Sequence, residues 1–315
     1  MSTATKVPET WELTGDDARK TLQETGRRRL VRDAFVRLRA ADGFSHARSL
    51  AFVTSLVLVQ GLIALVGFTT AFDLRIGREI VAGIQSAVPG PAGHLLTNVV
   101  AHAREVGVHH RYLPLLLGLV GTLITGTTAM GQIERGFNRI YGIEKDRPTA
   151  QKYGRAFLLT LGAGSGLAIA FLVFAIGRRS DTANSFLHST WPWIRWPLGL
   201  AVAMLALSAL LRWSPRRHQP AWSWLMFGAL VCVAGWVLVT VALSLALNAS
   251  SNFGTTYGPL AGIVALQLWT FFSAIAIFVG AAVAAQLEAV RAGRPQPREQ
   301  VDESIPRARE TSYAS

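Results

Sequence analysis

Six stretches of this chain are apolar for about the length of a bilayer crossing, and the polar residues collect in blocks between them. A spanning helix needs about 20 mostly apolar residues. By that measure the pattern predicts membrane helices over residues 49–72, 112–133, 156–176, 192–211, 221–247 and 259–287. Arg48 and Asp73 bound the first, Arg111 and Glu134 the second, and Arg178 and Arg179 close the third. The fourth is short and opens near Trp191. "NASSNFGTTYG" (residues 248–258) is rich in turn formers, and Pro259 suits a first helical position.

The other segments follow different patterns. Residues 74–110 hold apolar stretches punctuated by charge and broken at Pro89-Gly90-Pro91. They predict two short amphipathic helices, either lying on the outer surface or folded back into the bundle. In "GRRRLVRDAFVRLRAADG", Leu30, Ala34, Phe35 and Leu38 recur at helical spacing while Arg28, Arg32 and Arg39 face elsewhere. That is a basic amphipathic helix, expected along the cytoplasmic surface with its arginines near anionic headgroups, or else against a soluble partner helix. Residues 1–25 and 291–315 are polar and are expected as disordered tails flanking a membrane domain over 26–290. The first 48 residues lack the apolar core of a signal peptide, so the first span is expected to act as the insertion signal.

Charge supports the membrane assignment. Only 16% of the residues are Asp, Glu, Lys or Arg, against roughly 25% in soluble domains. Residues 218–287 contain none of the four. The net charge of +12 suggests nucleic acid in a soluble protein. In a membrane protein, positive residues instead collect on the cytoplasmic side. With both termini cytoplasmic, 24 of the 31 Lys and Arg fall on that side and 7 outside. Trp191, Trp193, Trp196, Trp213, Trp222 and Trp224 cluster at the ends of spans four and five, as in interfacial belts.

Little catalytic chemistry is visible. Cys232 is the sole cysteine, so no internal disulfide forms. "HAREVGVHH" places His102, His109 and His110 near Glu105, a spacing short of a metal-ligand set. No nucleophile elbow or metal-nuclease cluster occurs, and phosphodiester hydrolysis then lacks its usual source of activated water. We therefore expect a non-enzyme without cofactor or metal. Glu134 and Glu288 stand at the cytoplasmic ends of spans two and six, where they are expected to reach water. Gln60, Thr125, Thr128, Gln132 and Gln267 lie within spans, where they either line a solute pathway or form interhelical hydrogen bonds. Gly118, Gly121 and Gly126, with Gly162 and Gly166, suit close helix contact.

"FNRIYGIEKDRP" (residues 137–148), followed by a basic turn and the apolar "RAFLLTL", resembles a segment after the second long span of the YihY/BrkB family of bacterial inner-membrane proteins. "YGPLAGIVALQLWTFFSAIAIFVGAAVAAQLEAVR" (residues 257–291) is similar to the family's closing span. The resemblance covers roughly residues 25–291 and implies six membrane helices with cytoplasmic termini. Where the family carries "GAELN", this chain has Gly280-Ala281-Ala282-Val283-Ala284, so an acid and an amide are missing.

Some members have carried the label ribonuclease BN; others are associated with serum resistance or with export of small molecules. The resemblance thus implies transport or assisted export of a small solute or lipid-like molecule, with a membrane scaffold as the alternative. The polar cluster Glu134, Arg135, Asn138, Arg139, Glu144 and Arg147 is the candidate cytoplasmic mouth. It either gates a path or only ties its loop to neighbouring helices. Anionic lipid and a small solute are the expected partners, with no specific nucleic acid, and the oligomeric state stays open.

Overall fold

The computed structural model describes residues 3–72, 77–166, 168–169, 185–250, 253 and 257–299. The named helices run, in chain order, α1 (Gly15–Thr25), α2 (Arg27–Ala40), α3 (Gly43–Ala71), α4 (Gly77–Ala87), α5 (Gly90–His109), α6 (Leu113–Ile140) and α7 (Thr149–Leu159). A π-helical turn at Thr160–Gly164 continues α7, and α8 (Ser185–Trp213), α9 (Trp222–Ala249) and α10 (Ala261–Arg291) follow. Five segments are long and apolar enough to cross a membrane: α3, α6, the Trp196–Trp213 part of α8, α9 and α10. The expected third span, residues 156–176, begins with the end of α7 and the π turn; residue 167 and residues 170–176 lie outside the described residues.

Small residues decide how the spans meet. A Cβ on Gly67 would run into the Leu115 backbone, and one on Gly118 into that of Ala64. Gly121 abuts the Gln60 side chain. Position numbers fall along α3 as they rise along α6, so the two helices cross antiparallel at near-backbone contact. Without a hydrophobic drive between helices in lipid, such close packing is a principal source of association. The α9–α10 seam is built alike, from Gly228 against Ala284, Cys232 against Gly280 and Gly235 against Ala276. The alanines standing where the family pattern has an acid and an amide, Ala282 and Ala284, are both buried. The Gly162–Gly166 pair behaves otherwise: a Cβ at Gly162 would meet nothing within 4 Å, and one at Gly166 would only touch Ala206.

The extra-span segments pack more than their polarity suggests. The chain breaks at Pro89, and α5 lays Leu96 and Val100 into a core shared with Leu62, Val66, Leu266 and Trp269. Residues 74–110 therefore fold back against the bundle over their described part. Residues 3–25, expected as a disordered tail, are instead ordered: α1 starts on a capping box at Thr14 and Asp17, and Ala4, Val7 and Ala18 are buried. The cause is that few but well-placed apolar residues meet a preformed surface. Thr3 and Thr5 add backbone hydrogen bonds to Ala40 and Pro297. Residues 292–299 pair with this strap through an Ala4–Arg298 bridge, and the rest of the expected C-terminal tail lies outside the described residues.

Helix α2 also differs from its expected orientation. Leu30, Ala34 and Leu38 enter the protein core, while Phe35 is exposed beside Val31. Arg37 lies three residues after Ala34 and seven after Leu30, so it shares the inward face and is fully buried.

Candidate functional site

One end of the bundle gathers most of the buried charge. Glu134 stands in the last two turns of α6, and Glu288 in the last turn of α10. Both are 0% exposed, contrary to the expectation that they reach water. An ionised carboxylate taken from water is costly unless it is paired, and each takes an arginine from a connecting segment.

Arg147, in the loop between α6 and α7, donates from Nη1 to Glu134 Oε1 at 2.6 Å. The same nitrogen donates to the Ser214 carbonyl, and Nη2 to that of Pro215, each at 2.9 Å. Arg147 thus pins the turn after α8 to the end of α6. Four residues after Glu134 and one turn along α6, buried Asn138 donates from Nδ2 to Asp146 Oδ1 (3.2 Å) and accepts from the Arg216 backbone N–H (2.8 Å). Asp146 further meets Lys152 Nζ at 3.0 Å and Arg135 Nε at 3.5 Å. Burial opposes the Asp146 charge, but hydrogen bonds from Lys152 and Asn138 outweigh it and hold the carboxyl below its ordinary value. Of the six expected mouth residues, Glu134, Arg135, Asn138 and Arg147 form one network. Arg139 is partly buried beside it on α6, and Glu144 is exposed with no hydrogen bond in the cluster.

A second, deeper network lies next to the first and escaped the sequence reading apart from Glu288. Arg217 Nη2 donates to Glu288 Oε1 at 2.5 Å and to the Pro8 carbonyl at 3.0 Å. Its guanidinium sits 4.7 Å from the Tyr141 ring centroid. Thr10 Oγ1 donates to the same Glu288 oxygen at 2.6 Å, so the N-terminal strap seals this acid from water. Arg37 donates from Nε to Gln286 Oε1 (2.8 Å), and from Nη1 to the carbonyls of Thr5 (2.8 Å) and Ile140 (3.2 Å). Burial pulls Arg37 down to about 10, which keeps it charged at neutral pH. Burial also pushes the Tyr141 hydroxyl well up, so it stays protonated. The one signal in the sequence was Arg37 falling on the apolar face of its helix.

Between these networks and the solvent lies a cavity of about 780 Å³. Arg147, Arg155, Arg212, Arg216 and Arg217 line it, with Trp11, Trp213 and Trp222. His218 stacks on Trp11 at 4.1 Å and lies 3.5 Å from Glu9. The turn 214–221 that forms its floor is held by Arg212 Nη1 donating to the Pro220 carbonyl at 2.9 Å.

The polar residues inside the spans are largely engaged in helix contacts. Thr125 Oγ1 donates to Gln60 Oε1 at 2.8 Å, joining α6 to α3. Thr128 bonds back to the Ile124 carbonyl at 3.0 Å. Thr270 Oγ1 donates to the backbone carbonyl of Gln267 at 3.2 Å within α10. Gln132 is partly buried on α6. Among the described residues no group of three or more His, Cys, Asp or Glu is placed to hold a metal. His102 lies 3.6 Å from Glu105 on an exposed helix face.

The family described as virulence factor BrkB matches residues 34–304. A Bacillus subtilis (strain 168) protein carrying the name ribonuclease-like protein YfkH is 26% identical over 267 residues, covering 82% of this chain and 94% of its own length. A UPF0761 membrane protein of Azoarcus sp. (strain BH72) is 27% identical over 260 residues, 77% of this chain and 59% of its own. One from Xanthomonas campestris pv. campestris (strain B100) is 25% identical over 256 residues, 79% of this chain and 58% of its own. The chain therefore spans nearly all of the first relative but well under two thirds of the UPF0761 proteins. No solved structure matches it.

Proposed function

The chain belongs to the virulence factor BrkB family of membrane proteins, and from that premise we propose that it moves, or helps to export, a small solute or lipid-like molecule across the bacterial inner membrane. Residues 156–176 supply the sixth span in this reading, and both termini lie in the cytoplasm. The Lys and Arg distribution, 24 against 7, supports that orientation. The observation that carries the proposal is the cavity of about 780 Å³ beside Arg147, at the helix ends where the cytoplasmic mouth is expected. Its size falls within the roughly 300–1,000 Å³ of small-molecule sites.

The reading contains no hydrolytic step. The ribonuclease wording belongs to YfkH's name, and nucleotide release from tRNA by the purified protein would overturn this part of the proposal. The transport part is tested by reconstituting the full chain in liposomes with labelled lipids and a panel of small anions. Protein-dependent flux or lipid redistribution is expected. Its absence across the panel would favour the second reading, a membrane scaffold. That alternative draws support from Arg147, which ties α6 to the turn after α8 as a fixed brace would. In either case α2, with Arg28 and Arg32 flanking exposed Val31 and Phe35, is suited to anionic headgroups.

A further inference from the structure

We infer that the arginine-lined cavity over the 214–221 turn is a binding site for a phosphate-bearing group, with Arg155, Arg212 and Arg216 as its counter-ions. This rests on the transport reading and deepens it by naming the chemical class of the cargo.

The charge balance at the cavity leads to this assignment. Arg147 and Arg217 are each neutralised by a buried carboxylate behind the wall, Glu134 and Glu288. The side chains of the other three donate hydrogen bonds only to carbonyl oxygens and form no ion pair within 4 Å among the described residues. Arg155 Nη2 donates to Trp213 O (2.8 Å), Arg212 Nη1 to Pro220 O (2.9 Å) and Arg216 Nη1 to Asp146 O (2.9 Å). A carbonyl fixes where a guanidinium sits without cancelling its charge. Each guanidinium carries five N–H donors, so most remain available. Deeper in, Arg217 Nη1 is buried without a hydrogen-bond partner among the described residues, and Arg217 lines the cavity. Among the described residues Glu9 is the only carboxylate in the lining, and it is next to His218.

All five cations of this lining are arginines. Arginine is the residue whose planar fork matches phosphate oxygens two at a time. The rim points to an amphiphile as one source of that phosphate. Trp213 and Trp222 meet edge to face at 5.5 Å, and Arg212 lies 5.5 Å from the Trp222 ring centroid. Tryptophan belts sit at headgroup depth. Phe157 and Leu158 of α7 and Met226 of α9 are also exposed apolar side chains.

The test uses the full chain and reads binding without flux. Protein in nanodiscs of equal phosphatidylglycerol and phosphatidylcholine is released and its retained lipid identified by native mass spectrometry. In parallel, tryptophan fluorescence is titrated with glycerol 1-phosphate. The comparison is with the Arg155→Gln/Arg212→Gln/Arg216→Gln variant and a charge-matched control, Arg19→Gln/Lys20→Gln/Arg104→Gln. Selective phosphatidylglycerol retention identifies a lipid headgroup, and saturable quenching by glycerol 1-phosphate a soluble phosphorylated solute. Either is expected to weaken at least about tenfold in the cavity variant, the scale of one lost charge-assisted hydrogen bond, and to persist in the control. Thermal unfolding verifies that both variants fold; should the triple variant unfold, Arg212→Gln alone is compared. Neither form of binding, or binding equal in the cavity variant and the wild type, overturns the site. Binding without flux in liposomes overturns transport and leaves the site standing.

Discussion

Glu134 and Glu288 offer a direct comparison between two regions of one bundle end. Each is a fully buried acid near the C-terminus of an apolar helix, and each holds an arginine from a connecting segment. Their surroundings differ. Both arginines line the cavity and each keeps two carbonyl acceptors besides its acid, Ser214 and Pro215 for Arg147 and Pro8 and His218 for Arg217, but the Arg147 side chain is 10% exposed. Arg217 is 2% exposed and lies under residues 8–10 of the N-terminal strap. The same pairing chemistry therefore serves as a more exposed brace in one case and as a lock covered by the strap in the other. What separates them is how far solvent reaches the arginine when the acid is removed, since each keeps two carbonyl acceptors.

That difference can be broken by mutation. The largest effect is expected for Glu288→Ala, which strands Arg217 as a buried charge and should cost about 3–5 kcal/mol in detergent-solubilised unfolding. The Glu288→Leu/Arg217→Leu double variant should recover most of the loss, since both charges leave together. Glu134→Ala should cost less, about 1–3 kcal/mol, because the more exposed Arg147 can take up water in place of the acid. If the two single variants are equally destabilised, the distinction between lock and brace fails. Thr10→Val should lower stability by about 0.5–1.5 kcal/mol and speed limited proteolysis of residues 3–14, with α6 unaffected. The smallest effect concerns Asp146. Its carboxyl is held below the ordinary 3.8, so it contributes stability above that pH and loses it as pH falls through the lower folded value. Wild type and Asp146→Asn should thus differ at pH 7 and converge in acid, measured as unfolding midpoints across pH.

Much of the architecture was legible from hydropathy, and the reasons for the exceptions are specific. Long apolar runs bounded by charge forecast α3, α6, α9 and α10, because in a bilayer the backbone has few alternatives to helix. Helix ends were less legible: α6 continues past Glu134 to Ile140 and α10 past Leu287 to Arg291, since a helix that pairs its charged side chains need not stop at the membrane boundary. The strap was missed because its buried contacts, Ala4 and Val7, are two apolar residues in a polar stretch. Of the candidate site, the cluster of Glu134, Arg135, Asn138 and Arg147 was found through its position between spans. In the sequence Arg212, Arg216 and Arg217 read only as positive charge between spans, since nothing in their spacing shows that they converge on Arg155, more than 50 residues earlier.

By itself the sequence determined that this chain is a helical membrane protein and that several of its segments are apolar enough to cross. Those properties are sums over local stretches, fixed by transfer of side chains between water and lipid. Only the tertiary structure decided which apolar helix lies at the centre. In their most apolar windows α9 is 22% buried and α10 61%, although both read as continuous apolar runs. The alanine- and glycine-rich face of α10 lets neighbours approach on several sides, and that approach depends on the shapes of two surfaces at once. The same holds for the buried ion pairs and the arginine cavity. Their partners are distant in sequence, and pairing energy exists only where folding brings the two charges within a few ångströms away from water.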